Sequence, residues 1–400
     1  MSARVYLDWN ATAPLRPEAR AAMIAAFDLV GNPSSVHAEG RAAKMLVERA
    51  REAVAALVGC RPAEVVFTSG ATEAAGVLAG GPAGHAVWVD PTAHDCLTAH
   101  ARGGEGPGAT LAMGLANSET GVITEPGEKP ADRWVFGARR ADWLMLDVVQ
   151  AVGRMPFAFG WSGADFALVS AHKLGGPKGV GALILREGLE IDSLRPGGGQ
   201  EQGRRSGTEN VVGIAGFGAA AEAALDDLDR GRWRAVEALR DRLERVIAAE
   251  AGESVFVGKG GPRLPNTSCI VTPGWKGETQ VMQMDLAGFA ISAGSACSSG
   301  KVRASRVLRA MGFDAATVRG LLAARAVLTS LVAVLLGLAA ATWFVQVRPT
   351  FVLRTYTVSL RLEPWVVLAG VALAVLGAWA GAIVAARRAV QATPATLVVT

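Results

Sequence analysis

The chain has 400 residues, a length that suggests roughly two to three domains, and its 50% hydrophobic content excludes a largely disordered protein. The formal net charge is +4, but residues 316–400 contain seven arginines, one acid and no lysine or histidine, which leaves residues 1–315 at about −2. The basic charge therefore belongs to one terminal segment. A general nucleic-acid-binding surface is not indicated.

The four cysteines predict neither a disulfide scaffold nor a structural metal site. Cys60, Cys96, Cys269 and Cys297 are widely separated, form no Cys-x-x-Cys pair and have no histidine at metal-ligand spacing. The N-terminus reaches Asp8 without an apolar run, so we expect no secretory signal, a cytoplasmic catalytic part and reduced thiols.

Residues 16–258 alternate short β-rich runs with longer helical runs, the pattern of βαβ units around a mostly parallel sheet. Strands are predicted at Val65–Thr68, Ala86–Val89, Trp143–Asp147, Phe166–Ser170 and Val180–Leu185, and helices at Pro17–Phe27, Ala38–Val58 and Val211–Glu250. A further strand at Thr267–Val271 and a helix around Glu278–Leu286 predict a smaller domain.

Two uncharged segments dominate the C-terminal part. Residues 326–345 and 364–386 contain twenty and twenty-three residues without a charge, and each is long enough to cross a hydrocarbon core of about 30 Å. They predict a two-helix transmembrane hairpin, with a pair of buried core helices as the alternative. Arginines at both outer ends favour cytoplasmic termini, but the connecting loop is basic as well.

The segment Ser69-Gly70-Ala71-Thr72 follows a predicted strand and reads as a tight turn into a helix. Such a turn directs backbone N–H groups and a hydroxyl toward an anion. Small-residue turns of this kind are equally common in purely structural roles, so the neighbouring motifs decide between the two interpretations.

Lys173 ends Ser170-Ala171-His172-Lys173 and opens a glycine-rich loop. A lysine in such confined surroundings suggests Schiff-base chemistry, for which pyridoxal phosphate also needs an acid at its ring nitrogen. Asp147 can be this acid, because it ends a predicted strand, where open α/β sheets bind ligands. Taken singly, Lys173 is also compatible with a solvated loop lysine, and Asp147 with a helix N-cap.

Cys297 stands among small residues in Ser292–Lys301, with a lysine close in sequence. This composition favours an exposed loop that carries a reactive thiolate. The other three cysteines fit the role of small buried hydrophobic residues.

Together these segments closely resemble the NifS-like cysteine desulfurases, which belong to the class V aminotransferase group of fold-type I pyridoxal-phosphate enzymes. The resemblance runs from about Tyr6 to Gly312. The motifs that carry it, in chain order, are Tyr6–Thr12, Gly31–His37, Thr68–Glu73, Asn117–Gly121, Asp147–Gln150, Ser170–Lys173, Gly197–Asn210 and Gly294–Gly300.

The resemblance implies a set of cofactor-binding residues. Lys173 would bind pyridoxal phosphate covalently, Asp147 would keep the pyridine nitrogen protonated, and Gln150 would face the phenolic oxygen. The phosphate cradle would consist of Ala71, Thr72, Ser170 and His172.

The resemblance also implies roles for residues outside the cradle. His94 would stack on the cofactor ring and assist proton transfer, although its neighbours differ from the usual Glu-His pair. Asn117 would lie near both cofactor and substrate, and Thr208 would be donated by the second subunit of a homodimer.

The implied reaction converts L-cysteine to L-alanine. Lys173 would remove the Cα proton, and the Cys297 thiolate would take the sulfur as a persulfide for an iron–sulfur scaffold or a tRNA-thiolating protein. The alternatives are another class V lyase, such as a selenocysteine lyase, an inactive desulfurase–permease chimera, or a partner subunit of a permease.

The implied organisation comprises four parts. These are residues 1–15 of the small domain, the large cofactor-binding domain 16–258, a truncated α+β small domain 259–315, and the transmembrane hairpin 316–400. A family strand whose arginine binds the substrate carboxylate is absent beyond the cysteine, and Arg325 stands in a helix-like context. We therefore expect weak substrate binding and an unpaired edge in the small sheet.

The tail has a resemblance of its own. Leu362–Trp365, the second apolar segment and Ala385–Leu397 are similar to the C-terminal end of FtsX-like permease subunits of ABC exporters. Nothing before Ala315 is similar to the rest of a permease. The sequence is thus interpreted as a truncated desulfurase joined to a permease fragment.

Overall fold

The computed structural model describes residues 4–81, 83–104, 106, 108–137, 139–273, 275–294 and 305–311, together with 336, 337, 339, 343, 350–353, 356–359 and 395–399. The chain divides into two compact units. The first comprises residues 1–272, 277–307 and 395–400, and the second comprises residues 273–276 and 308–394.

The described strands are β1 (Val5–Tyr6), β2 (Val65–Thr68), β3 (Ala86–Val89), β4 (Ala109–Gly114), β5 (Trp134–Phe136), β6 (Arg139–Ala141), β7 (Trp143–Asp147), β8 (Phe166–Ser170), β9 (Gly181–Leu185), β10 (Val255–Phe256), β11 (Ser268–Thr272), β12 (Phe289–Ala290), β13 (Thr350–Leu353), β14 (Tyr356–Ser359) and β15 (Ala395–Val399). The described α-helices are α1 (Pro17–Phe27), α2 (Ala38–Val58), α3 (Ala71–Ala74), α4 (Asp95–Thr98), α5 (Phe159–Ser162), α6 (Val211–Asp229), α7 (Trp233–Glu250), α8 (Gly277–Leu286) and α9 (Arg306–Ala310).

The first unit is built on a six-stranded mixed sheet in the order β2-β9-β8-β7-β4-β3. Strands β3, β4, β7 and β8 are parallel to one another, whereas β9 is antiparallel to both β8 and β2. Five strands therefore end at the same edge, as predicted for an α/β fold with a mostly parallel sheet. The register pairs Asp147 with Gly114 on one side and Leu168 on the other, so β4 and β7 end at the same level and β8 extends two residues further, to Ser170.

The hydrophobic core lies on both faces of this sheet. Leu144 and Leu146 of β7 contribute to the cluster that contains α1, α2 and α6, while Met145 between them contributes to the cluster with α3 and α4. This alternation follows from the period of two in a β-strand. Burial on both faces explains why the strands read as continuous apolar runs.

Within residues 16–286, each predicted strand and helix has a counterpart in the structure, but several further elements were not predicted and one predicted helix is divided. Strand β4 was not predicted, because its sequence Ala-Thr-Leu-Ala-Met-Gly is poor in β-branched and aromatic residues. The single predicted helix 211–250 is two helices, α6 and α7, separated by a turn in which Gly231 has φ +63°. Glycine adopts this left-handed conformation without the steric penalty that other residues pay.

A second sheet of the first unit has the order β10-β11-β15, with antiparallel pairing throughout. The expectation of an unpaired edge on β11 is wrong. Residues 395–399 of the tail pair with it in a five-residue register that runs from Ser268↔Val399 to Thr272↔Ala395. Residues 395–399 thus occupy the edge of β11 that was expected to be unpaired.

Within the second unit, β13 and β14 form an antiparallel hairpin with the register Thr350↔Ser359 to Leu353↔Tyr356. The predicted apolar segments 326–345 and 364–386 lie outside the described residues, apart from positions 336, 337, 339 and 343. In the described part of the chain, no helix has both the length and the apolar character needed to cross a bilayer.

Candidate active site

A cavity of about 610 Å³ opens at the edge where β2, β4, β7 and β8 end. It is lined by nine of the ten residues predicted to bind the cofactor, namely Ala71, Thr72, His94, Asn117, Asp147, Gln150, Ser170, His172 and Lys173. Five segments that are distant in sequence thus meet at one site, because parallel strands bring their carboxyl ends to the same edge. The tenth residue, Thr208, is exposed on a separate loop.

Lys173 is buried at the end of a single 3-10 turn, Ala171–Lys173, that directly follows β8. Its Nζ donates hydrogen bonds to the carbonyl oxygens of Asn10 and, at 3.0 Å, Ala11. The lysine is therefore confined, and it is not the solvated loop lysine of the alternative interpretation.

Asp147 is the last residue of β7, and its carboxyl group is buried. Its Oδ1 accepts the Val149 N–H at 3.0 Å. Burial raises the pKa of the Asp147 carboxyl against the opposing charges of His94 and Lys173. Among the described residues Asp147 makes no salt bridge, so a cationic group in the cavity would be its natural partner.

His172 precedes the lysine, and its Nδ1 lies 3.1 Å from Thr12 Oγ1. Burial lowers the pKa of His172 to about 4, with further lowering from the charges of Lys173, Lys178 and Arg154. The imidazole is therefore neutral at pH 7. In that state one ring nitrogen can donate a hydrogen bond while the other accepts one.

The turn after β2 forms an open cradle at Gly70. This residue has φ +157°, and a Cβ atom added there would meet no atom within 4 Å. On the other side, a Cβ on Gly181 would lie 2.7 Å from Gly70 Cα, so β9 approaches the turn closely. Glu73 accepts the Ser69 N–H at 2.5 Å and closes the turn.

Asn117 holds the loop after β4 in place. Its Oδ1 accepts hydrogen bonds from the backbone N–H groups of Glu119 and Thr120 at 3.0 and 2.9 Å, and its Nδ2 donates to Thr92 O at 3.0 Å. Both ends of the amide are therefore engaged in shaping the cavity wall that carries His94.

His94 is the N-cap of α4, and its Nδ1 accepts the Cys96 N–H at 3.2 Å. The ligand atoms of His94, Cys96 and Asp147 lie within 4.8 Å of one another. Sequence spacing gave no sign of this group, because the aspartate comes from a different strand. Cys96, interpreted from sequence as a buried small residue, is buried and also lines the cavity.

Two residues beneath the cavity were missed by sequence reasoning, Asn10 and Arg154. The Arg154 guanidinium donates to Asn10 Oδ1 at 3.2 Å, to the Gln150 side chain and to Lys173 O at 3.0 Å. The carbonyl oxygen of Asn10 also accepts from Gln150 Nε2 at 3.0 Å. Asn10 stands within the motif Tyr6–Thr12, which was the one available signal.

The loop that carries Thr208 is held by two ion pairs, one to Glu73 of the cavity wall and one to Arg51 of α2. Arg205 Nε lies 3.2 Å from Glu73 Oε1, and Arg51 Nη1 lies 2.8 Å from Glu201 Oε2. Burial acts to raise the pKa of the Glu73 carboxyl, but hydrogen bonds from Ser69 and Arg205 lower this pKa below its usual value.

The predicted sulfur acceptor Cys297 and the carboxylate candidate Arg325 lie outside the described residues. The described chain resumes at Ser305, and Arg306 Nη2 donates to Ala93 O at 2.6 Å and Asp95 Oδ1 at 3.0 Å. The chain that follows the Cys297 segment is thus attached to both neighbours of His94.

The residues present fit pyridoxal phosphate. The cofactor requires an amine for its aldehyde, an acid for its ring nitrogen and hydrogen-bond donors for its phosphate. Lys173 supplies the amine, the buried carboxyl of Asp147 supplies the acid, and the open cradle at Gly70 leaves space for an anion beside His172.

The match to known protein families agrees with this set of cofactor-binding residues. The family described as aminotransferase class-V matches residues 5–94 and 110–319, which is most of the chain. The C-terminal family of FtsX-like permeases matches residues 289–394, so the two matches overlap at residues 289–319.

Individual relatives are similar over most of their own length. The cysteine desulfurase of Cereibacter sphaeroides is 39% identical over 344 residues, which cover 77% of this chain and 87% of that protein. An IscS-like cysteine desulfurase of Mycobacterium tuberculosis is 35% identical over 355 residues, with 79% and 89% covered. Among solved structures, the NifS-like protein from Rickettsia africae superposes with a TM-score of 0.69 at 28% identity, covering 78% of this chain and 90% of that one.

The cavity with its buried lysine and acid, the family match and these relatives lead to one conclusion: the chain belongs to the class-V aminotransferase family, among its NifS-like cysteine desulfurases, which depend on pyridoxal phosphate.

Proposed function

We propose that this protein is a pyridoxal-phosphate-dependent cysteine desulfurase that converts L-cysteine to L-alanine. In this reaction the C–S bond of the substrate breaks and a sulfur–sulfur bond forms on Cys297, while the substrate carbon keeps its electron pair and takes a proton. L-cysteine and an enzyme thiol thus give L-alanine and an enzyme persulfide, with no external oxidant. The observation that carries the proposal is the pairing of buried Lys173 with buried Asp147 in one cavity.

The cofactor, when bound, withdraws electrons from the substrate Cα and makes its proton acidic. Residues of the chain itself perform the proton transfers and hold the cofactor. Asp147 holds a proton on the ring nitrogen, for which its buried position is suited, because a charged carboxylate there needs a positive partner. Lys173 Nζ takes the proton from Cα, and His94 on the cavity wall assists proton transfer.

The phosphate is held by the turn Ser69–Thr72 and by Ser170 and His172. A neutral His172 still has one ring N–H that can donate a hydrogen bond to the phosphate. Gln150 faces the phenolic oxygen, and Asn117 shapes the wall near cofactor and substrate.

The choice of Cys297 as sulfur acceptor is supported by the chemistry of the other thiols. Burial raises the pKa of Cys60 to about 12 and raises the pKa of Cys269 even further, with neighbouring acids adding to both effects. Neither forms the thiolate that sulfur transfer requires near neutral pH. Cys96 lines the cavity and is the thiol against which Cys297 must be tested.

Thr208 lies outside the cavity of its own chain, which supports its proposed donation to the site of a second subunit in a homodimer. The ion pair Arg205–Glu73 then links each chain's own cradle to the loop that it offers to the partner. The sulfur would pass to an iron–sulfur scaffold or a tRNA-thiolating protein.

The proposed organisation keeps residues 1–15 with the small domain 259–315, the cofactor domain at 16–258, and the tail at 316–400. We assign the catalytic part to the cytoplasm and a membrane attachment to segments 326–345 and 364–386. We further propose that turnover is weak where no arginine binds the substrate carboxylate, since charge-assisted pairs with arginine are about twice as strong as neutral hydrogen bonds.

The cofactor assignment is tested by borohydride trapping of the full chain with pyridoxal phosphate. Lys173→Ala should abolish the stable adduct. Lys178→Ala is the matched control, because Lys178 lines the same cavity from an exposed position and should leave the adduct intact. An adduct that persists in Lys173→Ala, or is lost only in Lys178→Ala, would refute the assignment.

The acceptor assignment is tested by mapping the persulfide after reaction with L-cysteine. Cys297→Ser should remove it and Cys96→Ser should retain it. A persulfide mapped to Cys96 would overturn the role of Cys297. Release of the substrate's chalcogen with no enzyme-bound persulfide would favour a lyase.

A further inference from the structure

Arg154 is a buried arginine whose hydrogen-bond partners, among the described residues, are all neutral oxygen atoms. Arg154 is only 4% exposed, and it forms no salt bridge among the described residues. Nη1 donates to Asn10 Oδ1, to Gln150 O at 3.1 Å and to Gln150 Oε1, and Nη2 donates to Lys173 O at 3.0 Å and Trp9 O at 3.4 Å. A buried charge is costly, so its retention calls for an explanation.

Arg154 decides which way the Gln150 amide points. A guanidinium has only donors, so the atom it contacts must be the amide oxygen. The amide nitrogen contacts Asn10 O, which can only accept. These two partners leave one orientation of the amide, with the oxygen beneath the cavity and the NH2 group on the side of Lys173.

The same guanidinium holds the backbone of the cofactor lysine. Lys173 O accepts from Arg154 Nη2, while Lys173 Nζ and Gln150 Nε2 both donate to Asn10 O. Lys173 Nζ and Gln150 Nε2 therefore donate to the same carbonyl oxygen, that of Asn10. The Arg154 guanidinium contacts both Asn10 and the backbone of Lys173.

We propose that Arg154 is a positioning residue for the cofactor, which fixes the Gln150 amide as a hydrogen-bond donor to the phenolic oxygen and holds Lys173 at the matching position. This inference rests on the proposed function, in which Lys173 binds the cofactor and Gln150 faces that oxygen. It adds a residue that does not touch the cofactor and acts through two residues that do.

The proposal has a spectroscopic consequence. A donor on the phenolic oxygen, and a positive charge beneath the lysine, both favour the deprotonated form of the nitrogen that joins lysine to cofactor. Loss of Arg154 should therefore raise the pH at which the visible absorption band of the loaded enzyme changes. The other charged or titratable groups around this site, which all variants keep, are Glu73, His94, Cys96, Asp147, His172 and Lys178.

The experiment is a pH titration of that band in the wild type, Arg154→Met, Arg154→Lys, Gln150→Ala and the double variant Arg154→Met/Gln150→Ala. We expect the midpoint to rise by at least half a pH unit in Arg154→Met, and less in Arg154→Lys, which offers one nitrogen instead of two. Because Arg154 acts partly through Gln150, the double variant should shift by less than the sum of the single shifts.

Arg16→Met is the matched control. Arg16 Nε donates to the carbonyl oxygen of Leu174, the residue after the lysine, at 2.8 Å, and Nη2 pairs with Asp227 at 2.7 Å. Its loss should lower thermal stability and leave the midpoint unchanged. If Arg154→Met does not fold, Arg154→Lys carries the test alone.

An unchanged midpoint in the folded Arg154 variants, or fully additive shifts in the double variant, would overturn the proposal. Failure of the proposed function is distinguishable from this result. In that case the wild type itself would give no borohydride-reducible adduct on Lys173 and no band to titrate.

Discussion

The ion pair between Arg51 and Glu201 offers a sharp test of what holds the Thr208 loop. Both side chains are buried, at 8% and 3% exposure, and they form two hydrogen bonds of 2.8 and 2.9 Å. Glu201 Oε2 also accepts the Phe67 N–H at 2.8 Å, and Arg51 Nη1 donates to Val65 O at 2.7 Å. The pair thus joins the loop to β2, the strand that leads into the proposed phosphate cradle.

Glu201→Gln keeps the shape of the side chain and removes its charge, which leaves the half-exposed Glu48 as the remaining counter-ion of the buried guanidinium. Removal of one partner of a buried pair costs about 3–5 kcal/mol. At about 2–4 °C per kcal/mol for a domain of this size, Tm should fall by about 6–20 °C. The backbone adds to this sensitivity, because Glu201 and Gln202 have φ +50° and +60°, a conformation that side chains rarely adopt without support.

Glu48→Gln is the matched control. Glu48 also contacts Arg51, at 3.2 Å, but it is 48% exposed, so the same change of charge should cost about 0–1 kcal/mol. The assay is thermal unfolding followed by circular dichroism at equal cofactor saturation. If the two variants melt within about 2 °C of each other, the buried pair does not anchor the loop and the reasoning fails.

Three further outcomes are expected. Because the pKa of His172 is about 4 in the fold and about 6.5 when unfolded, the stability of the cofactor-free protein should rise with pH across that window, and His172→Gln should flatten the rise in urea titrations. Gly59→Ala should destabilise more than Gly137→Ala, because both have positive φ but only the Gly59 Cβ meets backbone, Ala158 Cα at 2.7 Å; equal Tm losses would contradict this. Deletion of residues 395–400 should increase aggregation by exposing the β11 edge, and unchanged light scattering would refute that role.

Strand positions could be predicted because fully buried strands are short apolar runs between glycine-rich turns. The ends of β7 and β8 were predicted to the residue, since Asp147 and Ser170 are the first polar residues after each apolar run. The helix break at Gly231 was not, because a lone glycine in a helical pattern is compatible with either outcome. The hydrophobic period is the same on both sides of it.

The residues beneath the cavity could not be found by composition or spacing. Asn10 contacts Arg154, Gln150 and Lys173, which stand 140 or more positions away in sequence, and only the folded sheet brings them together. The pairing of β11 with β15 was missed for the same reason. An apolar run of five residues at the end of the tail carries no information about which strand it joins.

In the described six-stranded sheet, the antiparallel strand β9 has a consequence for the backbone at Lys173. Parallel neighbours need a crossover of a dozen or more residues, but β8 returns directly into β9 through only residues 171–180. Backbone bonds from Ala171 N–H to Val180 O at 3.1 Å and from Gly176 N–H to Ala171 O at 2.9 Å brace this short connection. The backbone at Lys173 is therefore held in place, and in the proposed function an exchange between cofactor and substrate would rely on movement of the lysine's four-carbon side chain.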